Sequence, residues 1–538
     1  MRDHRIWIAI GAAGLALAAG TGAPGAEVAR KGPEASQSAR DARALASRID
    51  RLLDEKWAEA KAAPVGPADD AEFLRRVCLD LVGKIPTASE AREFLDDPAP
   101  EKRSKLVERL LDGPSYTARA TELYRQLLLP EADTEGQARF AAPAFEAWLR
   151  KKVVEEAGYD KIAREILTAK LGARAAGPTA ARAEPSAAGF FIAKEGKPEN
   201  LAAGASRVFL GVRLECAQCH NHPFAKWKRE EFWGLAAFFA GVSKQGPDDG
   251  FGAIREVANR RELAIPGTEK IVKAAFLDGS PLAWKAKAEP REVLADWITS
   301  PKNPYFARAA VNRVWARFFG TGLVDPVDDM GGENVPSHPE LLDELAAQFA
   351  AHDFDLKFLI RAVTATRAYG LTSALDRPEP TPPYLFSAMA VRGLSAGQLF
   401  SSLAQATGFR DGPDNYGMGD AGARGRFLEL FANRDEKPTE AQTSILQALT
   451  LMNGQIVSGA TSLEAGDTLG SVAEAPYLGT AGRVEELYLA ALTRRPRPDE
   501  SALLVGYIEK ATTPEGRSKA LGDVFWAILN GPEFKHNH

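Results

Sequence analysis

Residues 215–224 read ECAQCHNHPF and hold two of the chain's three cysteines and two of its seven histidines. Cys216, Cys219 and His220 make a C-x-x-C-H, the pattern that attaches a c-type haem. Two thiols about one turn apart bond the vinyl groups, and the next imidazole reaches the iron. With His222 added, the same side chains offer sulfur and imidazole donors to zinc. That spacing is cramped, because a structural zinc site usually draws its second ligand pair from a distant segment. A third reading needs no cofactor: Cys216 and Cys219 close a disulfide, and the two histidines only form hydrogen bonds. The residues alone leave haem c, zinc and no cofactor open.

An iron held by His220 has a second face. His222 is tied two residues away, and Pro223 holds it extended. The other candidates are His338, His352 and the five methionines, since His536 and His538 are expected in a frayed tail. His338 sits in GGENVPSHPELLDELAAQF, where Ser337 and Glu340 match a capping box and place it in the first turn of a helix. The helix dipole there favours the neutral imidazole that a metal requires. His338 is therefore the candidate second axial ligand; the plain alternative is a partly exposed residue at a helix start.

Asp325, Asp328, Asp329 and Glu333 lie in a glycine-containing loop just before His338. The loop lacks regular twelve-residue calcium spacing, so a solvated acidic loop is the expectation. Arg313 and Arg317 stand at i and i+4 on an amphipathic helix, free to pair with haem propionates, with the acidic loop or with water. Cys78, in the apolar-periodic FLRRVCLDLVG, is expected as a small buried hydrophobe. There is no G-x-S-x-G, P-loop, H-E-x-x-H or dinucleotide fingerprint.

The elements that must position these residues read as helices. TASEAREFLDD begins with a capping box from Thr87 to Glu90. After Pro223, KWKREEFWGLAAFF places Trp227, Phe232, Leu235, Phe238 and Phe239 on one side, so the motif is a turn between two apolar segments. AIREVANRRELAIPG and EKIVKAAFLDG are expected as a short β-hairpin or ribbon. The fold class is mainly α: two associated helical domains with a small β-hairpin or ribbon between them. The expected boundaries are 1–26 signal peptide, 27–45 linker, 46–243 helical domain with the motif, 244–288 β-containing connector and 289–538 C-terminal helical domain.

MRDHR, an apolar run from Ile6 to Gly20 and small residues to Ala26 have the layout of a secretory signal. The run is shorter than the roughly 20 residues of a membrane span. The protein is therefore expected in the periplasm, the cell envelope or outside, with no membrane span after signal removal. With 67 basic and 72 acidic side chains mixed along the chain, nothing suggests a nucleic-acid partner.

VCLDLVGKIPTASEAREFLDD, SRVFLGVRLECAQCHNHPF and WGLAAFF resemble the planctomycete cytochrome-type domain of uncharacterised function. VLADWITSPKNPYFARAAVNRVWARFFGTGLVDPVDD, PSHPELLDELA, TRAYGLTS, QALTLMNG, LYLAALTRRPRPDE and WAILNGPEF resemble its C-terminal companion domain. The resemblance implies an exported, mostly helical protein, and a cytochrome-like label that rests on Cys216, Cys219 and His220. It also matches His222 with Pro223, and Ser337, His338 and Pro339. One departure stands out: where the companion is expected to carry a basic pair and an acidic residue, this chain reads AVRGLSAGQLFSSL, with Arg392 alone. The charge network of that segment is thereby put in question.

Three functions follow as expectations. The first is a monohaem electron-transfer or redox-accessory protein with a redox partner; a single C-x-x-C-H excludes wiring through several haems. The second is a non-enzymatic envelope module, held by a local disulfide or metal, that binds an envelope component. The third is an enzyme acting on an extracellular polymer through Asp328, Asp329 and His338.

Overall fold

The computed structural model describes residues 33–133, 136–172, 184–223, 225–245, 253–284, 288–331, 334–374, 381–410, 422–431 and 466–538, with isolated positions between 439 and 462. The expected signal segment and Glu333 lie outside the described residues.

The chain is mainly α. Helices α1 (Pro33–Ala60), α2 (Asp70–Val82), α3 (Ala88–Asp96), α4 (Lys102–Asp112), α5 (Pro114–Leu128), α6 (Gly136–Val154) and α7 (Tyr159–Leu167) come first. Short α8 (Gly189–Ala193) and α9 (Pro198–Ala205) lead to the motif, and α10 (Arg229–Ala236) follows it. Then come α11 (Pro290–Ile298), α12 (Phe306–Phe319), α13 (Pro339–Ala351), α14 (Leu356–Thr364), α15 (Ala396–Thr407) and α16 (Ala423–Leu430). The last four helices are Asp467–Glu474, Thr480–Leu492, Pro498–Glu509 and Pro514–Asn530. Helix α1 starts inside the stretch expected as linker, and Ala42 and Leu45 are already core. An alanine-rich polar segment has ample helix propensity, and the apolar stripe gives it a face to bury.

Three two-stranded antiparallel sheets complete the described fold. β1 (Val242–Gln245) pairs with β2 (Ala253–Glu256), and β3 (Glu262–Ala264) with β4 (Ile271–Lys273). The expected ribbon is therefore two hairpins, one of which reaches back to the end of the helical segment. β5 (Arg392–Gly393) pairs with β6 (His536–Asn537). This last pairing corrects the frayed tail: Asn537 is buried, and burial pushes the His538 imidazole down to about 4.

Two apolar cores form. One gathers residues from Ala42 to Met389 together with Leu489; the other gathers residues between Leu399 and Phe534 together with Leu79 and Ile85. Helix α2 feeds both, with Phe73, Leu74, Val77 and Leu81 on one side and Leu79 on the other. Asp69 caps its first turn by accepting from the Glu72 N–H, and Gly83 ends it at φ 74°. A helix enclosed on all sides should be apolar all round, yet α2 also buries Arg75, Arg76 and Asp80.

Each of these charges meets partners from far along the chain, as a buried charge must. Arg75 donates to the carbonyls of Ala491, Glu533, Phe534 and His536. Arg76 donates to the carbonyls of Tyr369 and Leu371 and pairs with Glu72. Asp80 accepts from Tyr369 Oη at 2.9 Å, Arg392 Nη2 at 3.0 Å and Asn537 Nδ2 at 2.9 Å. Arg392 thus keeps a charge network in the segment whose network the sequence put in question.

Among the described residues, no helix is long and apolar enough to cross a membrane.

Candidate haem-attachment site

The motif hangs from a buried turn. Helix α9 runs into one π-helical turn, Ser206–Leu210, and the chain reverses at Gly211 with φ 64°. A side chain at that glycine would meet Ala309 Cβ at 2.9 Å and Met330 Sδ at 3.0 Å, so only glycine fits. Ser206 Oγ donates to the Val212 carbonyl at 2.8 Å across the reversal.

Arg313 of α12 braces this turn from behind. It donates to the carbonyls of Arg207 and Val208 and pairs with Asp328 at 2.7 Å. The Met330 N–H donates to the Gly211 carbonyl at 2.8 Å. Of the partners open to Arg313, the acidic loop is thus the one it takes, and that loop is docked against the turn rather than left in water. Arg317, one helical turn on, points elsewhere and donates to the Asp80 carbonyl at 2.7 Å.

Cys216 lies in a 3-10 turn, Glu215–Gln218, with Cys219 directly after it. Both thiols are exposed and unbridged, whereas Cys78 is buried, with burial raising its thiol to about 12. Three contacts from α10 fix the turn. The Gln218 carbonyl accepts from Trp233 Nε1 at 3.0 Å and from Arg229 Nε at 3.2 Å. Asn221 Oδ1 accepts the Arg229 N–H at 3.0 Å, satisfying one free donor at the helix start. Trp227 and Trp233 are buried beneath the motif, and Gly331 lies against the Trp227 indole.

His220 is exposed, and its Nδ1 lies 2.8 Å from the Asn221 carbonyl. A carbonyl only accepts, so in the neutral ring Nδ1 carries the proton and Nε2 the lone pair. His222 is oriented differently: its Nδ1 accepts the Ala225 N–H at 2.9 Å, and its own N–H donates to the Trp227 carbonyl at 2.8 Å. Among the described residues no three His, Cys, Asp or Glu side chains converge as a metal cage.

His338 is placed by other means than expected. It is itself the N-cap of α13, with φ −134° and ψ 80°, and Pro339 takes the first helical position. The Ser337 hydroxyl donates instead to the Leu323 carbonyl at 3.2 Å, so the capping box does not form. His338 is buried against Phe386, with Nε2 unpartnered. Burial first, then Lys56, pushes its pKa down to about 4; Glu59 opposes them. Its charged neighbours are thus Lys56 and Glu59 of α1 rather than Asp328, and among the described residues no hydrogen bond, ion pair or ring contact joins it to the motif turn.

Sequence reasoning passed over Trp233, Arg229 and Asn221 as motif supports, and Asp80 as the centre of a buried network. Arg75, Arg76 and Asp80 interrupting an otherwise apolar run were the available signal for the latter.

Residues 48–244 match PSCyt2, a protein of unknown function (DUF1549), and residues 290–417 match PSD1, a protein of unknown function (DUF1553). These are the planctomycete cytochrome-type domain and its C-terminal companion. The chain carries this pair in that order. No curated protein and no solved structure matches it. The motif therefore belongs to the PSCyt2 domain, while its brace, Arg313 with Asp328 and Met330, comes from PSD1. Asp80 and Arg392 likewise join PSCyt2 to PSD1.

Proposed function

We propose that the PSCyt2–PSD1 pair is an exported monohaem electron-transfer or redox-accessory module, with haem c attached at Cys216 and Cys219 and His220 as the iron ligand. The observation that carries the reading is the His220 ring: its Nδ1–H is committed to the Asn221 carbonyl, so Nε2 is the nitrogen left to bind. Two exposed, unbridged thiols precede it at the attachment spacing. Those donors fit a haem. When bound, the group would supply one-electron transfer at a potential set by its axial ligands and surroundings.

The chain's own part is to hold the turn. Trp233 and Arg229 grip the Gln218 carbonyl between the two thiols, and Asn221 fixes both the imidazole tautomer and the start of α10. A second axial ligand from His338 would require the buried imidazole to leave Phe386.

The test is expression with and without haem maturation. Denatured chain from the maturing host should retain one haem in mass and absorption, and Cys216→Ala with Cys219→Ala should abolish it. Denatured chain free of haem, with both thiols intact, overturns the reading. A Cys216–Cys219 disulfide in that product would favour the envelope-module alternative, and bound zinc the metal one.

A further inference from the structure

An iron held by His220 has a second face, and few side chains are placed to serve it. His338 is buried against Phe386. His352 has its Nδ1 2.8 Å from the Gln348 carbonyl and its Nε2 3.6 Å from Asp41. Soft sulfur is the other ligand type that suits such an iron. Among the described methionines, Met389 is 3% exposed in the first core, and Met452 lies beside Trp526 of the second. Met1 and Met418 lie outside the described residues.

Met330 is placed differently. It is half-buried at the edge of the first core, on the loop that Asp328 ties to Arg313. This loop touches both legs of the motif turn. On the leg that enters, the Met330 N–H donates to the Gly211 carbonyl at 2.8 Å. Met330 Sδ lies 3.0 Å from where a side chain at Gly211 would begin, so the glycine leaves the sulfur its place. The next residue, Gly331, spans to the leg that leaves. A side chain there would meet Val212 Cγ1 at 2.9 Å and Trp227 Nε1 at 2.7 Å. The Trp227 carbonyl in turn accepts the His222 N–H at 2.8 Å. The thioether is thus anchored where Gly331 bridges the chain running into Cys216 and the chain running out of His220. Its backbone is pinned, while three rotatable bonds leave the sulfur free to turn.

We propose that Met330 Sδ is the second axial ligand of the iron held by His220, so that the PSD1 domain completes a site that PSCyt2 begins. The proposal rests on haem attachment at Cys216 and Cys219. A thioether opposite an imidazole raises the reduction potential and closes the iron to outside ligands.

The experiment compares the full haem-bearing chain with Met330→Leu, a nearly volume-conserving change. The ferric wild type should show the weak iron–thioether charge-transfer band. Met330→Leu should lose that band, lower the potential and, when reduced, bind carbon monoxide tighter by on the order of tenfold or more. Met330→His should lose the band yet still exclude carbon monoxide, and it stands in if Met330→Leu does not fold. Met389→Leu should leave band, potential and carbon monoxide affinity as in the wild type. Covalent haem is measured on each chain after denaturation, which reports attachment whatever the second ligand is. Haem retained with unchanged band, potential and carbon monoxide affinity in Met330→Leu overturns the Met330 assignment alone. So does a band lost in Met389→Leu but kept in Met330→Leu. A wild-type chain without covalent haem overturns the attachment reading and this assignment with it.

Discussion

Asp80 and Arg392 stand 312 positions apart and close a buried ion pair at 3.0 Å. The pair joins α2 to the short β5 strand, and Asn537 of β6 donates to the other carboxylate oxygen. Removing one member leaves the other charge buried and unpaired. Asp80→Ala is therefore expected to cost about 3–5 kcal/mol in urea unfolding. The double change Asp80→Leu with Arg392→Met should cost less than Asp80→Ala alone, because no charge is stranded. A single-variant loss under about 1 kcal/mol would show that the pair does not hold the two segments together.

Local order was legible where it depended on neighbours in the chain. The Thr87–Glu90 capping box forms as read, because hydroxyl and carboxylate reach each other within one turn. A turn ahead of an aromatic-rich helix followed from Pro223 and the spacing of Trp227, Phe232 and Leu235. The Asp80 network was not legible, since its partners Tyr369, Arg392 and Asn537 lie hundreds of residues away. Arg75 was harder still: its acceptors are backbone carbonyls, which leave no mark in a sequence. Ser337 shows local reasoning failing for a local cause, because its hydroxyl turns to Leu323 and Pro339 takes the helix start. The acidic loop was one of the partners open to Arg313, but the sequence could not choose among them, because Asp328 lies fifteen residues on, on another element.

The three thiols should separate by access. Haem-free protein kept reduced should take up two equivalents of an alkylating reagent in its native state, at exposed Cys216 and Cys219. Cys78 should react only in denaturant, because it is buried in α2 and burial raises its pKa to about 12, leaving almost no thiolate. Peptide mass mapping reads the sites. Native labelling of Cys78 would contradict the placement of α2.

Gly211 is the hinge on which the motif turn depends. Gly211→Ala combines a strained φ of 64° with contacts at 2.9 Å to Ala309 and 3.0 Å to Met330. The expected loss is about 2–3 kcal/mol, from left-handed strain and overpacking together. Gly267 has φ 74° with nothing within 4 Å, so Gly267→Ala isolates the conformational part and should lose about 1 kcal/mol. Equal losses at the two positions would show that packing against Met330 is not what holds the reversal.

Arg313 ties the π-helical turn to the acidic loop, so the stability of the motif should follow it. Arg313→Ala removes two carbonyl contacts and strands a partly buried Asp328. A loss of about 2–4 kcal/mol is expected, with a matching rise in proteolysis near residues 206–214. Asp328→Asn keeps a hydrogen-bond acceptor and should lose roughly 1 kcal/mol. If Asp328 served polymer hydrolysis instead, Asp328→Asn would abolish activity on a polysaccharide or peptide panel while leaving unfolding unchanged.

His338 should make the fold acid-sensitive. Burial and Lys56 depress its folded-state pKa to about 4, below the ordinary 6.5. Between those values the unfolded chain binds the proton and the folded chain does not, so stability rises with pH. The contribution is complete above about pH 6.5 and is lost as pH falls through 6.5 towards 4, up to roughly 3 kcal/mol. His538, depressed to about 4 mainly by burial and Arg75, adds a slope of the same sign. His338→Gln should therefore flatten only part of the urea-midpoint dependence between pH 6.5 and 4, and His338→Gln with His538→Gln should flatten more. A wild-type midpoint that stays level across this window would mean that the imidazole is hydrated, and that its pocket against Phe386 opens to water.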